Sequence, residues 1–295
     1  MSPTRIVLSA DRNGGLPRLE LSTPRSSGGG GTLRTRLLDL SANGARVALV
    51  QDGALLLRGD EVEIDVVVGP GMRLELVEPS GTVAYAMRGG SASWRVDVTV
   101  ESGGTLLWQG KPFVVAEGAD VRRSTHVRLA ETAALVQRET LVLGRTGEAP
   151  GALVNSCRIR RGSTPVLAED LRLGPGAPTV GVLGPHRVVD TVLALLPEDA
   201  TDAAGLSTAA DVPTHPDVQA YDLAYGGRIW RGVAGSAHTV SLSAVWQALT
   251  ADSVAENGYA CVGRSPTGQS ATPTVSLVSA STCLRASPGS VTQVR

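Results

Sequence analysis

The chain has 295 residues, of which 42% are hydrophobic and 19% charged, enough apolar material for one large domain or two ordinary ones. Its 27 basic and 28 acidic residues give a net charge of −1, which excludes a basic field that would attract nucleic acid or anionic lipid. Aromatic residues amount to 3%, too few for a surface that stacks bases or sugars.

In the N-terminal stretch no sustained apolar run follows a basic start, so we expect no secretory signal there. Residues 22–32, STPRSSGGGGT, have the composition of a linker, so we predict a flexible segment over residues 1–32. No part of the chain approaches the roughly 20 consecutive apolar residues of a membrane span. Three widely spaced cysteines, Cys157, Cys261 and Cys283, do not form a disulfide framework, so we expect a cytoplasmic protein without membrane contact.

From residue 33 to residue 173 the hydrophobic pattern has a period of two, interrupted by Gly, Pro and Ser, which predicts short strands and tight turns. The strands also repeat, with offsets of about 30 residues. Ile64, Val96 and Thr125 occupy equivalent places in the first strand of each unit, and Leu74, Leu106 and Leu135 in the second.

One unit is too small to bury its own apolar face, so we expect the units to stack. The predicted fold is mainly β, a stacked-strand body that is part solenoid and part sandwich. A conventional two-sheet sandwich is the alternative.

Beyond residue 174 we expect about two short helices. Residues 186–197, HRVVDTVLALLP, suit a helix that ends at Pro197, although a buried strand is possible. Residues 241–255 place Leu242, Val245, Trp246 and Leu249 at helical spacing. Residues 257–295 contain no acidic residue and are rich in Ser, Thr, Gly and Pro, so we expect this tail to be disordered.

The run GGTLLWQGKPF at residues 103–113 has some likeness to a phosphate-binding loop. Five residues separate Gly104 from Gly110, where such a loop needs four, and Pro112 stands where a magnesium-binding hydroxyl is required. We therefore predict a strand end, in which Lys111 is flanked by Trp108 and Phe113.

The sequence offers little to support catalysis or tight metal binding. The four histidines are isolated, no CxxC or HExxH motif occurs, and no GxSxG elbow is present. Two acidic stretches remain, Asp60-Glu61 and Glu169-Asp170. Adjacent acids on a strand point to opposite faces and do not form one catalytic dyad.

Three blocks, at residues 49–76, 106–148 and 157–173, together resemble the UreD (UreH) family of urease accessory proteins. The resemblance covers roughly residues 33–175 and predicts a single UreD-like, β-rich domain over residues 33–256. It implies a chaperone without enzymatic turnover, which acts with a helical partner (UreF-like) and a GTPase (UreG-like) on apo-urease. Nickel would pass in transit, GTP would be used by the partner, and no cofactor would be tightly bound.

The family's motifs are carried over with changes. Its Gly-Gly-Asp turn corresponds to Arg58-Gly59-Asp60, in which the first glycine is replaced, and its Trp-x-Pro-x-Pro block keeps Trp108 and Pro112. Its Glu, Gly-Arg and Gly-Glu positions correspond to residues for which we predict structural roles: Glu139, Gly144, Arg145, Gly147 and Glu148.

A nickel route calls for hard, replaceable oxygen donors, since a thiolate–imidazole site would trap the ion. Our candidates for lining it are Asp60 and Glu169, with Asp170 as the alternative to Glu169 because the sequence does not say which one faces inward. Two other classes of function remain open. A β-solenoid hydrolase or lyase acting on polysaccharide would require interleaved aromatics and an acid ladder, and a purely structural oligomerising sheet requires no site.

Overall fold

The computed structural model describes residues 3–23, 31–177, 183–197, 217–237, 239 and 241–255. The described strands form two sheets, which we call sheet A and sheet B. Sheet A contains β1 (Thr4–Ser9), β2 (Arg18–Ser22), β5 (Glu61–Val68), β8 (Ala92–Val100), β11 (Asp120–Leu129), β13 (Ala152–Arg161) and β14 (Thr164–Leu173). Sheet B contains β3 (Thr32–Leu40), β4 (Gly44–Asp52), β6 (Arg73–Val77), β7 (Thr82–Ala84), β9 (Thr105–Gln109), β10 (Phe113–Val115), β12 (Ala134–Leu143), β15 (Val188–Leu195), β16 (Val218–Asp222) and β17 (Arg228–Ala234).

The middle of the chain is a solenoid, because each unit gives one strand to sheet A and the next to sheet B. In sheet A the strands β5, β8, β11 and β13 are neighbours and run parallel. In sheet B the strands β4, β6, β9 and β12 do the same. The short strands β7 and β10 pair in parallel with each other, and β10 also pairs in parallel with β12, so they continue sheet B beyond β6 and β9.

The repeat seen in the sequence is confirmed to the residue. Val96 is the Cα partner of both Ile64 and Thr125 in sheet A. Leu106 is the partner of both Leu74 and Leu135 in sheet B. All of these side chains are buried, so like residues of successive units form continuous rows in the core. The mainly β, stacked-strand fold expected from the sequence is therefore the observed one.

The N-terminal segment differs from expectation, since residues 1–32 were predicted to be flexible. Strand β1 extends the parallel ladder of sheet A by pairing with β5, and β2 pairs with β1 in the antiparallel direction. Ile6 and Leu8 of β1 are fully buried. The alternation in TRIVLS spans only six residues, too few to identify a strand from the sequence alone. In the fold, β1 covers the edge of the core beside β5. Residues 24–30 of the predicted linker lie outside the described residues.

One of the two expected helices is a strand. Residues 188–195 form β15, which pairs antiparallel with both β12 and β17. Both faces of β15 are covered, so its side chains are almost all buried and do not alternate between apolar and polar. A short apolar run of this kind has no distinctive period, which explains why the pattern was compatible with either structure.

The other helix is confirmed as α1 (Ser243–Ala255). Leu242, just before it, and Val245, Trp246 and Leu249 are buried against the outer face of sheet B, where they meet Val136 and Trp230 among others. No helix among the described residues is long and apolar enough to cross a lipid bilayer. The predicted tail, residues 257–295, lies outside the described part of the chain, and the proposed domain limits remain a prediction.

Replacing Leu106 by Ala tests the stacked core. Its side chain is fully buried between those of the adjacent units, so the cavity should lower the free energy of unfolding by about 2–5 kcal/mol. The matched control is Leu38→Ala, at a residue that is 53% exposed, which should change stability little. Guanidinium unfolding followed by tryptophan fluorescence measures both, and equal effects of the two substitutions would contradict the stacked core.

Candidate functional site

The predicted acidic residues do not lie together. Asp60 lies in the turn before β5, where its carboxylate accepts a hydrogen bond of 2.9 Å from the backbone N–H of Leu57. Glu169 lies on β14, four strands away across sheet A, which corresponds to roughly 20 Å at the usual strand spacing. Any function that uses both residues must therefore use them at separate points.

The structure resolves which of the two neighbouring acids faces inward. Glu169 points between the sheets, whereas Asp170 points to solvent and forms an ion pair of 2.5 Å with Arg158. This contact holds the pKa of Asp170 below its usual value. Of the two alternatives, Glu169 is the one that reaches the interior.

Glu169 forms a bridge between the sheets. Both of its carboxylate oxygens accept hydrogen bonds from the guanidinium of Arg231 on β17 of sheet B, at 2.6 and 2.9 Å. Arg231 also donates from Nε to the hydroxyl of Thr191 on β15, at 3.2 Å. The two charged side chains are about three-quarters buried, so the pair is partly shielded from solvent.

A second bridge lies deeper in the same layer. Arg123 on β11 forms an ion pair with Glu139 on β12 and donates a hydrogen bond of 3.0 Å to the side-chain oxygen of Asn155. Asn155 in turn donates to Glu139 at 3.1 Å. Arg123, Glu139, Asn155, Glu169 and Arg231 together constitute what we call the inter-sheet polar cluster. It places five polar side chains in a core that is mainly apolar.

Burial changes the acid–base properties of this layer. Desolvation lowers the pKa of Arg123 to about 10, although its guanidinium remains charged at neutral pH. The same effect raises the pKa of the Cys157 thiol to about 11. Cys157 is the register partner of both Glu169 and Thr125, so an uncharged thiol lies beside the polar cluster. A thiol in this state is a poor nucleophile and a weak metal ligand at neutral pH.

The polar cluster surrounds a small cavity. Its volume is about 40 Å³, which is room for a few water molecules. The hydroxyl of Thr125 is buried in its wall and makes no hydrogen bond to any residue that the structure describes. An unsatisfied buried hydroxyl carries a free-energy cost that a water molecule in the cavity would remove. The cavity thus lies between the two sheets, where the polar side chains adjoin the apolar Leu167, Leu193 and Ile229.

A larger opening adjoins the cavity at the edge of the two sheets. It has a volume of about 830 Å³ and is bounded by β14, β15, β16 and β17. Its polar lining includes His186, Asp217, Gln219, Tyr221 and Arg231. Arg231 also lines the small cavity, so the ion pair between Glu169 and Arg231 stands at the boundary between the two spaces.

The predicted strand end at Lys111 is organised by a residue that the sequence analysis did not single out. The carboxylate of Glu78 accepts hydrogen bonds from the indole N–H of Trp108 at 2.9 Å and from the backbone N–H of Lys111 at 3.1 Å. Burial raises the pKa of Glu78 in spite of these bonds. The carbonyl of Pro112 accepts a hydrogen bond from Thr82 at the start of β7. This stretch therefore shapes a turn and presents no phosphate-binding loop.

Most of the other residues that correspond to the family's motifs lie in turns: Gly59, Gly144, Arg145, Gly147 and Glu148. Gly59, Gly144 and Gly147 all have positive φ angles, which favour glycine. Arg145 donates from Nε to Glu148 at 2.7 Å, and its backbone N–H donates to the same carboxylate at 3.1 Å. These contacts lower the pKa of Glu148 to about 2. In contrast, Glu139 belongs to the inter-sheet polar cluster, a place that its sequence context did not indicate.

Sequence reasoning missed most of the polar cluster, although one signal was present. Val121, Arg123 and Val127 share a face of β11 by the period of two, and that face is the inward one. A charged residue in an apolar row predicts a buried partner. The identity of the partner depends on how the sheets face each other, which no local pattern reveals. Within the described ranges no three His, Cys, Asp or Glu side chains gather in a metal-binding arrangement.

Known proteins show where this chain belongs. A family model described as UreD urease accessory protein matches residues 30–264. Urease accessory protein UreD 1 of Streptomyces griseus is 45% identical over 195 residues, which cover 65% of this chain and 74% of the relative. Urease accessory protein UreD of Streptomyces avermitilis is 36% identical over 201 residues, covering 66% of this chain and 77% of the relative. UreD 2 of Saccharopolyspora erythraea is 34% identical over 191 residues, covering 63% and 67%.

The inner bridge is tested by a double-mutant cycle. Glu139→Ala leaves the guanidinium of Arg123 buried without its carboxylate and should lower the free energy of unfolding by about 3–5 kcal/mol. The double variant Arg123→Met/Glu139→Leu removes both charges and should recover much of that loss. The control is Glu20→Ala in the exposed pair with Arg18, which should cost less than about 1 kcal/mol. Arg123→Met and Glu139→Leu alone complete the cycle, and a double variant as unstable as the sum of these two single variants would refute the coupling.

Proposed function

The chain belongs to the UreD family of urease accessory proteins, and from that premise we propose that it is a non-catalytic scaffold for nickel delivery to apo-urease. In this proposal it acts in the cytoplasm as a chaperone, in complex with a UreF-like helical protein and a UreG-like GTPase. The GTPase consumes GTP, and this chain holds no tightly bound cofactor. The observation that carries the proposal is the inter-sheet polar cluster with its cavity, which lies between two sheets joined mainly by apolar side chains.

Transfer of nickel between proteins needs a shielded path with ligands that bind and release. Carboxylate oxygens and water suit this task better than a set of thiolates and imidazoles, which would retain the ion. The cluster provides carboxylates, an amide oxygen and room for water next to a protonated thiol. These groups favour transient contacts with a divalent cation.

Glu169 is the residue best placed to exchange partners with the ion. Its carboxylate is inward, partly shielded and already engaged with one cation, the guanidinium of Arg231. Because Arg231 borders both the outer opening and the inner cavity, its movement would expose Glu169 to an ion that enters from the opening. We propose that Arg231 occupies the Glu169 carboxylate between transfers and thereby keeps it ordered and neutralised.

Asp60 has a separate place in this proposal. It lies at the far side of sheet A from Glu169, and its carboxylate already stabilises the turn that contains Gly59. If Asp60 lines the nickel route, it therefore does so at a point of the route distant from Glu169. Asp170 is paired with Arg158 on the solvent side, so we assign it no part in the route.

Nickel incorporation into urease tests these assignments. The double variant Asp60→Ala/Glu169→Ala should reduce the nickel content of urease several-fold while the accessory complex still assembles, because donors are lost without loss of the fold. Asp170→Ala should leave the nickel content at the wild-type level. Metal content of purified urease after maturation measures the first effect, and co-purification with the helical partner and the GTPase measures assembly.

A further variant separates a ligand role for Glu169 from a role in holding the sheets together. Arg231→Met leaves the Glu169 carboxylate in place and free, so nickel incorporation should be retained if the carboxylate is a ligand. If the ion pair acts only as a brace, Arg231→Met should be as harmful as Glu169→Ala. Full nickel loading by the Asp60→Ala/Glu169→Ala variant would refute the proposed route.

A further inference from the structure

The outer face of sheet A is open to solvent and carries charge of two signs on its two halves. The acidic half comprises Glu61, Glu63 and Asp65 on β5 and Asp97 on β8. The basic half comprises five exposed arginines on three adjacent strands: Arg122 and Arg128 on β11, Arg158 and Arg160 on β13, and Arg172 on β14. Two aspartates share the basic half, Asp120 at the start of β11 and Asp170 on β14.

The acidic half is largely neutralised by its own neighbours. Asp97 accepts a hydrogen bond of 2.6 Å from Arg95, and Asp65 lies 3.4 Å from Arg5. In the basic half, Asp170 is paired with Arg158. Among the described residues, Arg122 and Arg128 form no ion pair with a carboxylate, and Arg172 shares the carboxylate of Asp170 with Arg158 through a longer-range attraction. The basic half therefore has an excess of positive charge that the fold does not compensate.

The spacing of the arginines places like charges next to each other. Arg128 and Arg160 are direct Cα partners on neighbouring parallel strands. Side chains of like charge directly opposite each other destabilise a sheet. Within the fold, Arg160 donates a hydrogen bond of 3.0 Å from Nε to the carbonyl of Gly162, which does not remove this repulsion. An acidic group bound between the two guanidinium groups would turn the repulsion into attraction.

A groove runs through this part of the face. It has a volume of about 560 Å³, and its rim includes Arg128, Arg158 and Arg160, with Asp97 and His126 on the side toward the acidic half. Arginine presents a planar fork of donors that matches a carboxylate, and it is enriched at protein interfaces. The groove thus offers several such forks along one depression.

We propose that the basic half of this face docks a carboxylate-rich segment of a partner protein. The inference rests on the proposed function, since it names one contact surface of the maturation assembly. A nucleic acid is disfavoured because the outward positions of these strands contain no Phe, Trp or Tyr on which bases could stack. The two halves together would also orient the partner, because like charges in the wrong orientation repel.

Charge reversal in the groove tests this inference. The variant Arg128→Glu/Arg160→Glu should weaken binding to one of the three proposed partners, the helical protein, the GTPase or apo-urease, by about tenfold or more, because rim charges govern association. Binding of that partner by the wild-type chain should weaken as NaCl rises from about 50 to about 500 mM, within the range where screening is strong. The variant should lose most of that salt dependence. Calorimetry with each purified partner measures both effects.

The control carries the same change in charge elsewhere on the surface. Arg12→Glu/Arg36→Glu alters two exposed arginines outside the basic half and should bind every partner as the wild type does. If every partner that binds the wild type binds Arg128→Glu/Arg160→Glu equally strongly, the docking inference is overturned and the proposed function stays intact. Absence of wild-type binding to all three partners would instead count against the proposed function.

Three further measurements identify what occupies the groove. A polyglutamate peptide should bind the wild type and the control at low salt, and should fail to bind Arg128→Glu/Arg160→Glu. Tighter binding of a single-stranded oligonucleotide at the same site would overturn the choice of a protein partner. A homodimer of the wild-type chain that dissociates in this variant would do the same, because the occupant would then be a second copy.

Discussion

Each unit of this protein depends on the next for its backbone hydrogen bonds and for the burial of its apolar face. A strand of sheet A finds its parallel neighbour about 30 residues later, and the following strand of sheet B does the same. Because the inward residues fall in register, they form rows such as Ile64, Val96 and Thr125. No unit is stable alone, and the stack sets the position of every other feature of the molecule.

The inter-sheet polar cluster is the main departure from this apolar stacking. Arg123–Glu139 and Glu169–Arg231 each join a strand of sheet A to a strand of sheet B. Buried ion pairs contribute little net stability compared with apolar residues of the same volume. Their presence at the layer that also holds the cavity is the physical reason for assigning this layer a function.

The sequence predicted the features that depend on local repetition and left out those that depend on how the sheets meet. The register of Leu74, Leu106 and Leu135 followed from the repeat, because identical patterns at a fixed offset must stack in one way. Strand β15 was compatible with a helix because burial on both faces removes the alternation. Glu169 and Arg231 are 62 residues apart, and their contact depends on two sheets folding over each other.

The central claim is that this chain is required for urease to receive nickel and does not itself transform a substrate. The direct measurement is the nickel content of urease matured by an otherwise complete set of accessory proteins, with and without this chain. The account predicts that urease made without the chain contains little nickel and that adding the chain restores it. Equal nickel content in the two preparations would contradict the account.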